Sequence, residues 1–422
     1  MYKDIELGFY LPSFFFSCIN DSIPLNNSFL YTCQSTIIHE YVHFLQDLFT
    51  CCGHRRIILT VDILKTITRT IYYSKSMEFS IPYIVPVNES ASTLIDFEGI
   101  FSGDSDLRFL FDRINKIEIT NNNLVKGFED EKVVNVFVSD LATSEIKSFQ
   151  FGTNCILESM AYLIESCFNV AVSPPAFPYR IVELILRYEF PGQNISKMDT
   201  VFLCETSLCG HNPPLFLFHL IELLKNNQKS LNKENLQEIL NGIEMEYKDG
   251  RKISLRDYFY MNEENAKQSL KGLFSNKNNY KLAHEWIEYT FNMVDHIKSL
   301  GFRFDMLVGE ERIKHLNALM RSLGTSLMTN KDGKEYVAYH PVEKYIDQLP
   351  AFRAIFEIYN TLRYGKKRCD MKQYCKKHIV IDMTTRFCDN YPWKNVDHPS
   401  GLLCPYAQFW KMWGISNRTV TF

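Results

Sequence analysis

His39 and His43 stand four residues apart with Glu40 directly after the first, in the run Ser35-Thr36-Ile37-Ile38-His39-Glu40-Tyr41-Val42-His43-Phe44-Leu45-Gln46-Asp47. On an α-helix, side chains at i and i+4 project from one face, one turn above the other. Both imidazoles then reach a single Zn²⁺ at about 2.0–2.1 Å. Glu40 points beside such a metal, where a general base belongs. Ile37, Ile38, Val42 and Leu45 supply a buried back for the same helix.

A catalytic zinc keeps three protein ligands and an open position. The metzincin arrangement needs a Gly three residues after the second His and a further ligand three beyond. Gln46 and Phe49 occupy those positions and exclude it. A straight helix carries Asp47 away from the metal, so it is expected to fix a neighbouring backbone or basic group.

A second stretch, Asn154-Cys155-Ile156-Leu157-Glu158-Ser159-Met160-Ala161-Tyr162-Leu163-Ile164-Glu165, is helix-compatible and carries two acids. Here the chain resembles the gluzincin metallopeptidases, whose third ligand is a Glu on a second helix, often in a Glu-Gly-x-Ala-x-Tyr-like pattern. Glu158-Ser159-Met160-Ala161-Tyr162 matches in part, with Ser in place of Gly and Tyr one position early. Small residues after the Glu let two helices approach closely. The resemblance implies Glu158 as third ligand, with Glu165 a weaker rival and a long insertion between His43 and Glu158. It also implies zinc-dependent peptide hydrolysis, with Glu40 taking the proton of a zinc-activated water. A developing oxyanion needs a further donor. Tyr162, Tyr179 and His211 are candidates by nearness to the motifs in sequence, each with an ordinary structural role as the alternative.

The elements around these motifs follow from periodicity and turn residues. The His-Glu helix is expected to start at a cap at Asn27 or Ser28 and to stop at Gly53. Arg55–Lys75 reads as a helix, with its many β-branched residues leaving a strand as the alternative, and 106–116 as a short amphipathic helix. Residues 132–138 and 145–151 read as a hairpin whose free edge, beside the metal helix, suits an extended peptide. Helices are expected over 155–168, 179–188, 199–209, 215–226, 233–247, 255–274, 281–300, 310–323 and 342–364. The fold class is therefore α+β and predominantly helical. By resemblance its core is zincin-like.

The chain of 422 residues suits a zincin-like core over 1–215, a helical lobe over 216–365 and a Cys-rich tail over 366–422 packed on the body. A formal net charge of −3 predicts no general affinity for nucleic acid or anionic membrane. No apolar run approaches about 18 residues, so no membrane span is expected. Twelve cysteines without an export signal suggest reduced thiols and a cytoplasmic location.

Two cysteine-bearing places remain. Cys204 and Cys209, ahead of Gly210-His211, read as a helix end with buried thiols. In the tail, Cys369, Cys375, Cys388 and Cys404 are candidates for a second, structural zinc, although the short Cys-x2-Cys knuckles are missing. Lys366, Lys367, Arg368, Lys372, Lys376 and Lys377 crowd the same segment and read first as a solvated basic face. The leading function is a zinc peptidase acting on a protein or peptide substrate. The alternatives are a zincin-like binding module without turnover, and a nucleic-acid-associated protein using the basic tail.

Overall fold

The computed structural model describes residues 8–19, 35–85, 95, 99–107, 109–122, 131–168, 174–246, 250–275, 279–330, 333, 335–378, 383–397 and 401–422. The described residues are 57% helical with 13% strand in small sheets, an α+β fold dominated by helices. The helices are α1 (Ser35–Phe49), α2 (Cys51–Tyr73), α3 (Thr153–Glu165), α4 (Ile181–Glu189), α5 (Lys197–Ser207), α6 (Pro213–Asn226) and α7 (Lys233–Asn241). After them come α8 (Leu255–Lys271), α9 (Lys281–Ser299), α10 (Arg312–Leu323), α11 (Leu349–Tyr364), α12 (Lys372–His378) and α13 (Pro405–Met412).

The strands are β1 (Gly8–Leu11), β2 (Phe16–Ile19), β3 (Glu78–Ser80), β4 (Ile114–Asn121), β5 (Lys132–Ser139), β6 (Ile146–Phe151), β7 (Glu244–Glu246), β8 (Lys252–Ser254), β9 (Leu327–Asn330), β10 (Tyr336–Val337) and β11 (Thr419–Thr421). One sheet runs β1-β2-β9-β10, with β2 parallel to β9 in the register Phe16 opposite Leu327. A second runs β4-β5-β6, antiparallel throughout. β3 pairs in parallel with β11 at the far end of the chain.

The back of α1 is driven into the core by the residues that make it amphipathic. Ile37, Ile38, Val42 and Leu45 are buried, as are Phe44 and Leu48. Phe15, in the β1–β2 turn, is fully covered and meets Phe44, Trp286 and Phe352 at ring distances of 6.1, 5.1 and 5.3 Å. Edge-to-face aromatic contacts of this kind add about 0.5–1.5 kcal/mol each beyond area burial. α1 is thereby clamped between elements from both ends of the sequence.

Gly53 does not stop α1. The break falls at Thr50, whose hydroxyl accepts from Gly53 N at 3.0 Å and caps α2. Gly53 lies inside the first turn of α2, where a Cβ would sit 2.4 Å from Asp47 Cα. Its role is close approach of one helix to the other. The cap expected at Asn27 or Ser28 lies outside the described residues. The helix expected over 106–116 is absent. Phe109 to Arg113 are irregular, and from Ile114 onward the chain is strand β4, to which β5 offers a row of Val side chains.

The hairpin expected over 132–151 forms as β5 and β6. β5 is central, however, so β6 is the strand of the pair at the outside of the sheet, and the hairpin lies against α6. The strands packed on α1 are β1 and β2, and β1 is the outer strand of its sheet. No helix among the described residues is long and apolar enough to cross a membrane.

Candidate metal centre

His39 and His43 project from one face of α1 onto α3, which brings Glu158. His39 Nε2 lies 3.1 Å from Glu158 Oε2 and 3.1 Å from His43 Nε2, and His43 Nε2 lies 3.4 Å from Glu158 Oε1. Among the described residues this is the group of His, Cys, Asp or Glu whose ligand atoms all converge within 4.8 Å, and it could hold a metal ion. Ligand atoms about 2.0–2.1 Å from one tetrahedral ion stand about 3.3–3.4 Å apart, close to these separations.

The outer hydrogen bonds decide which ring nitrogens face the centre. His39 Nδ1 donates to Glu165 Oε2 at 2.9 Å, and His43 Nδ1 donates to Gln46 Oε1 at 2.7 Å. Gln46 Nε2 donates in turn to the Leu157 carbonyl at 3.0 Å, which fixes the orientation of its amide. With both Nδ1 protons directed outward, two Nε2 lone pairs and a carboxylate meet at one point. Such a point is electron-rich and calls for a cation, and outer partners of this kind orient metal-ligating histidines.

The electrostatics favour positive charge at this point, which a proton on His39 also satisfies. Burial disfavours a charged His39, but the hydrogen bonds of Glu158 and Glu165 and the charges of Glu158 and Glu40 outweigh it and raise its pKa well above the usual value. Burial likewise opposes ionisation of Glu158. The charge of His43 and the hydrogen bonds of both histidines outweigh it and hold the carboxyl well below its ordinary range.

Glu40 is 4% exposed and lies on the β1 side of α1. A Cβ built at Gly8 would stand 3.0 Å from Glu40 Oε1 and 2.7 Å from Thr36 Cγ2, so the strand backbone comes directly over this carboxylate. Asp47 is used as a clamp: its Oδ2 accepts from Ser13 N at 2.7 Å and from the Tyr10 hydroxyl at 2.9 Å. The Tyr10 ring stacks on His43, at 6.4 Å between centroids.

Of the three donor candidates, Tyr179 meets the edge of His39 with ring centroids 5.8 Å apart. Tyr162 stands behind it, 6.5 Å from Tyr179. His211 is placed by other partners, its carbonyl accepting from Arg55 and its ring meeting Phe101 edge-on. Ser159, at the position of the gluzincin glycine, is fully buried and donates to the Pro178 carbonyl at 3.1 Å, which ties α3 to the segment bearing Tyr179.

By spacing alone Glu165 is a rival ligand and Gln46 only excludes the metzincin arrangement. The structure places both on the outward Nδ1 nitrogens of the histidines. A signal existed for each: Glu165 is two turns from Glu158, and Gln46 is three residues from His43, spacings that share a helix face.

The four tail cysteines line one small cavity, and no three of their sulfurs converge as closely as the His-His-Glu group. Half of the basic cluster beside them is ion-paired: Lys366 with Glu357 and Asp370 at 3.0 and 2.7 Å, Arg368 with Asp370 at 3.0 Å, and Lys372 with Asp389 at 2.6 Å. Comparison of the chain with protein-family models, curated proteins and solved structures finds no match.

Proposed function

We propose that the chain is a zinc-dependent peptidase acting on a specific protein substrate, with His39, His43 and Glu158 as the zinc ligands. The observation that carries this reading is the convergence of those three side chains with their outer nitrogens already committed to Glu165 and Gln46. Zinc bound there would act as a Lewis acid on the scissile carbonyl and make water acidic enough to ionise near neutral pH. Glu40 takes a proton from the attacking water and returns it to the leaving amine. Tyr179, whose ring meets the proposed ligand His39, is the candidate taken as donor to the developing oxyanion. Glu165 and Gln46 hold the two imidazoles in the tautomer that ligation requires.

Two histidines and a carboxylate also suit non-haem iron. Glu40, in the position of a general base, favours the hydrolytic reading. Metal analysis of the wild type, His39→Ala and Glu158→Gln separates the cases. Zinc near one equivalent in the wild type, lost in both variants, is expected. Glu40→Gln should keep the metal and lose hydrolysis of a peptide library. Iron in place of zinc, or unchanged zinc at this site in both variants, would overturn the reading.

A further inference from the structure

The junction where α1 passes into α2 also meets the end of α5. Cys51 opens α2 directly after its cap Thr50, and Cys209 lies just past the end of α5. The Cys52 N–H donates to the Leu208 carbonyl at 2.9 Å, so the residues beside the two thiols are joined through the backbone. Cys51 forms a small apolar cluster with Tyr258 and Phe259 of α8, and Cys209 packs against that cluster. Neither cysteine is in a disulfide. Cys51 is fully covered, whereas Cys209 is half-buried.

A cation stands at the same place. Lys298, near the end of α9, lies over the Phe259 ring and donates to the Phe49 carbonyl at 3.4 Å, just ahead of Cys51. Contact with Cys51 pulls the Cys209 thiol down to about 7 against the effect of burial, and the Lys298 charge acts in the same direction. The Cys51 thiol is raised well above its usual value, first by Cys209 and then by burial. The first proton of the pair therefore leaves near neutral pH, and the anion resides on the more exposed sulfur. Cys204, within α5 itself, is by contrast fully buried, and burial pushes its thiol up. Reactive cysteines are thiolates beside a cation and within reach of solvent, and buried neutral thiols are inert.

We propose that Cys209 and Cys51 form a redox modification site, at which a hydroperoxide oxidises Cys209 and Cys51 then closes a disulfide with it. The Cys209 thiolate attacks one oxygen of the peroxide, the O–O bond breaks, and the leaving oxygen takes up a proton as water or an alcohol. Cys209 is then a sulfenic acid. The Cys51 sulfur attacks that sulfur, the S–S bond forms, and the S–O bond breaks with release of water that carries off the Cys51 proton. Two thiols are oxidised, and one hydroperoxide is reduced. A disulfide needs Cα atoms about 4.4–6.8 Å apart, and the backbone hydrogen bond beside the pair draws the two segments together at this point. The bond ties the start of α2 to the end of α5.

The test uses the full chain, reduced, held with a metal chelator and treated with a slight excess of hydrogen peroxide at neutral pH. Peptide mapping without reductant should show the Cys51 peptide joined to the Cys209 peptide, and dithiothreitol should release both. In Cys51→Ser, dimedone should label Cys209. In Cys209→Ser, neither the link nor a label on Cys51 should form, and Cys167→Ser should behave as the wild type. Wild-type protein in which both thiols stay reduced, or in which Cys209 pairs with Cys52 or another cysteine, overturns the proposal whether or not the variants fold. So does oxidation of the half-buried Cys167 and Cys369 as fast as that of Cys209.

Discussion

At the scale of single residues, the site depends on atoms that never touch the metal position. Glu165 accepts the His39 Nδ1 proton at 2.9 Å and adds negative charge behind the ring. Glu165→Gln keeps an acceptor and removes the charge. It should weaken metal affinity by about 10- to 100-fold, as loss of an outer partner typically does, with the fold intact. Competition with a chelator of known affinity measures this, and unchanged affinity would contradict the outer role. The two histidines were legible because a spacing of four on a helix has one geometric meaning. Glu158 was legible through the resemblance. The roles of Glu165 and Gln46 were not, because an acid or amide on a helix face has many uses until the neighbouring helix is in place.

At the scale of elements, the junction of α1 and α2 is held by His54, which is fully buried. Its Nε2–H donates to the Leu48 carbonyl at 2.8 Å, and Phe259 and Phe291 lie at 4.9 and 6.0 Å. Burial pushes its pKa down to about 3, with Lys298 adding to the effect. The folded state therefore holds a neutral ring, whereas the unfolded chain takes up a proton near pH 6.5. The stability from this group is fully present above about pH 6.5 and is lost as pH falls toward 3. Wild type should lose several kcal/mol over that window. His54→Gln should lose less, so that the two denaturation curves approach one another in acid. Parallel pH profiles would contradict this. The turn after α1 was misplaced in sequence because Gly53 looked like a terminator, while the determinant is Thr50 capping the next helix. The β4 strand was missed for a related reason: its partner β5 lies downstream, and pairing overrode the local helical spacing.

At the scale of the whole molecule, the tail belongs to the body. Tyr406, Phe409 and Trp410 are buried, and Trp410 stacks near Trp393 and Phe79 at 6.1 and 6.3 Å. Glu357 is fully buried in α11 and takes Arg353 Nη2 at 2.6 Å and Lys366 at 3.0 Å, with Asp370 N donating to it at 3.2 Å. A chain ending at Lys367 strips these aromatic surfaces and removes Asp370 from the network. It should be insoluble or unfold at markedly lower temperature, and a truncated chain that stays soluble with wild-type thermal stability would contradict the packing. Glu357→Ala leaves Arg353 without its buried counter-charge and should cost about 3–5 kcal/mol, read from denaturant midpoints.

The placement of Phe15 has a consequence for timing. Its contacts with Trp286 and Phe352, and the pairing of β2 with β9, join the first twenty residues to segments made late in synthesis. Non-local contacts of this kind form slowly, and domains are made from the N-terminus onward. His39, His43 and Glu158 thus leave the ribosome long before the surface that braces α1 from behind. The nascent chain carries all three side chains of the candidate metal centre while their support is still unmade, so their convergence is a property of the finished chain.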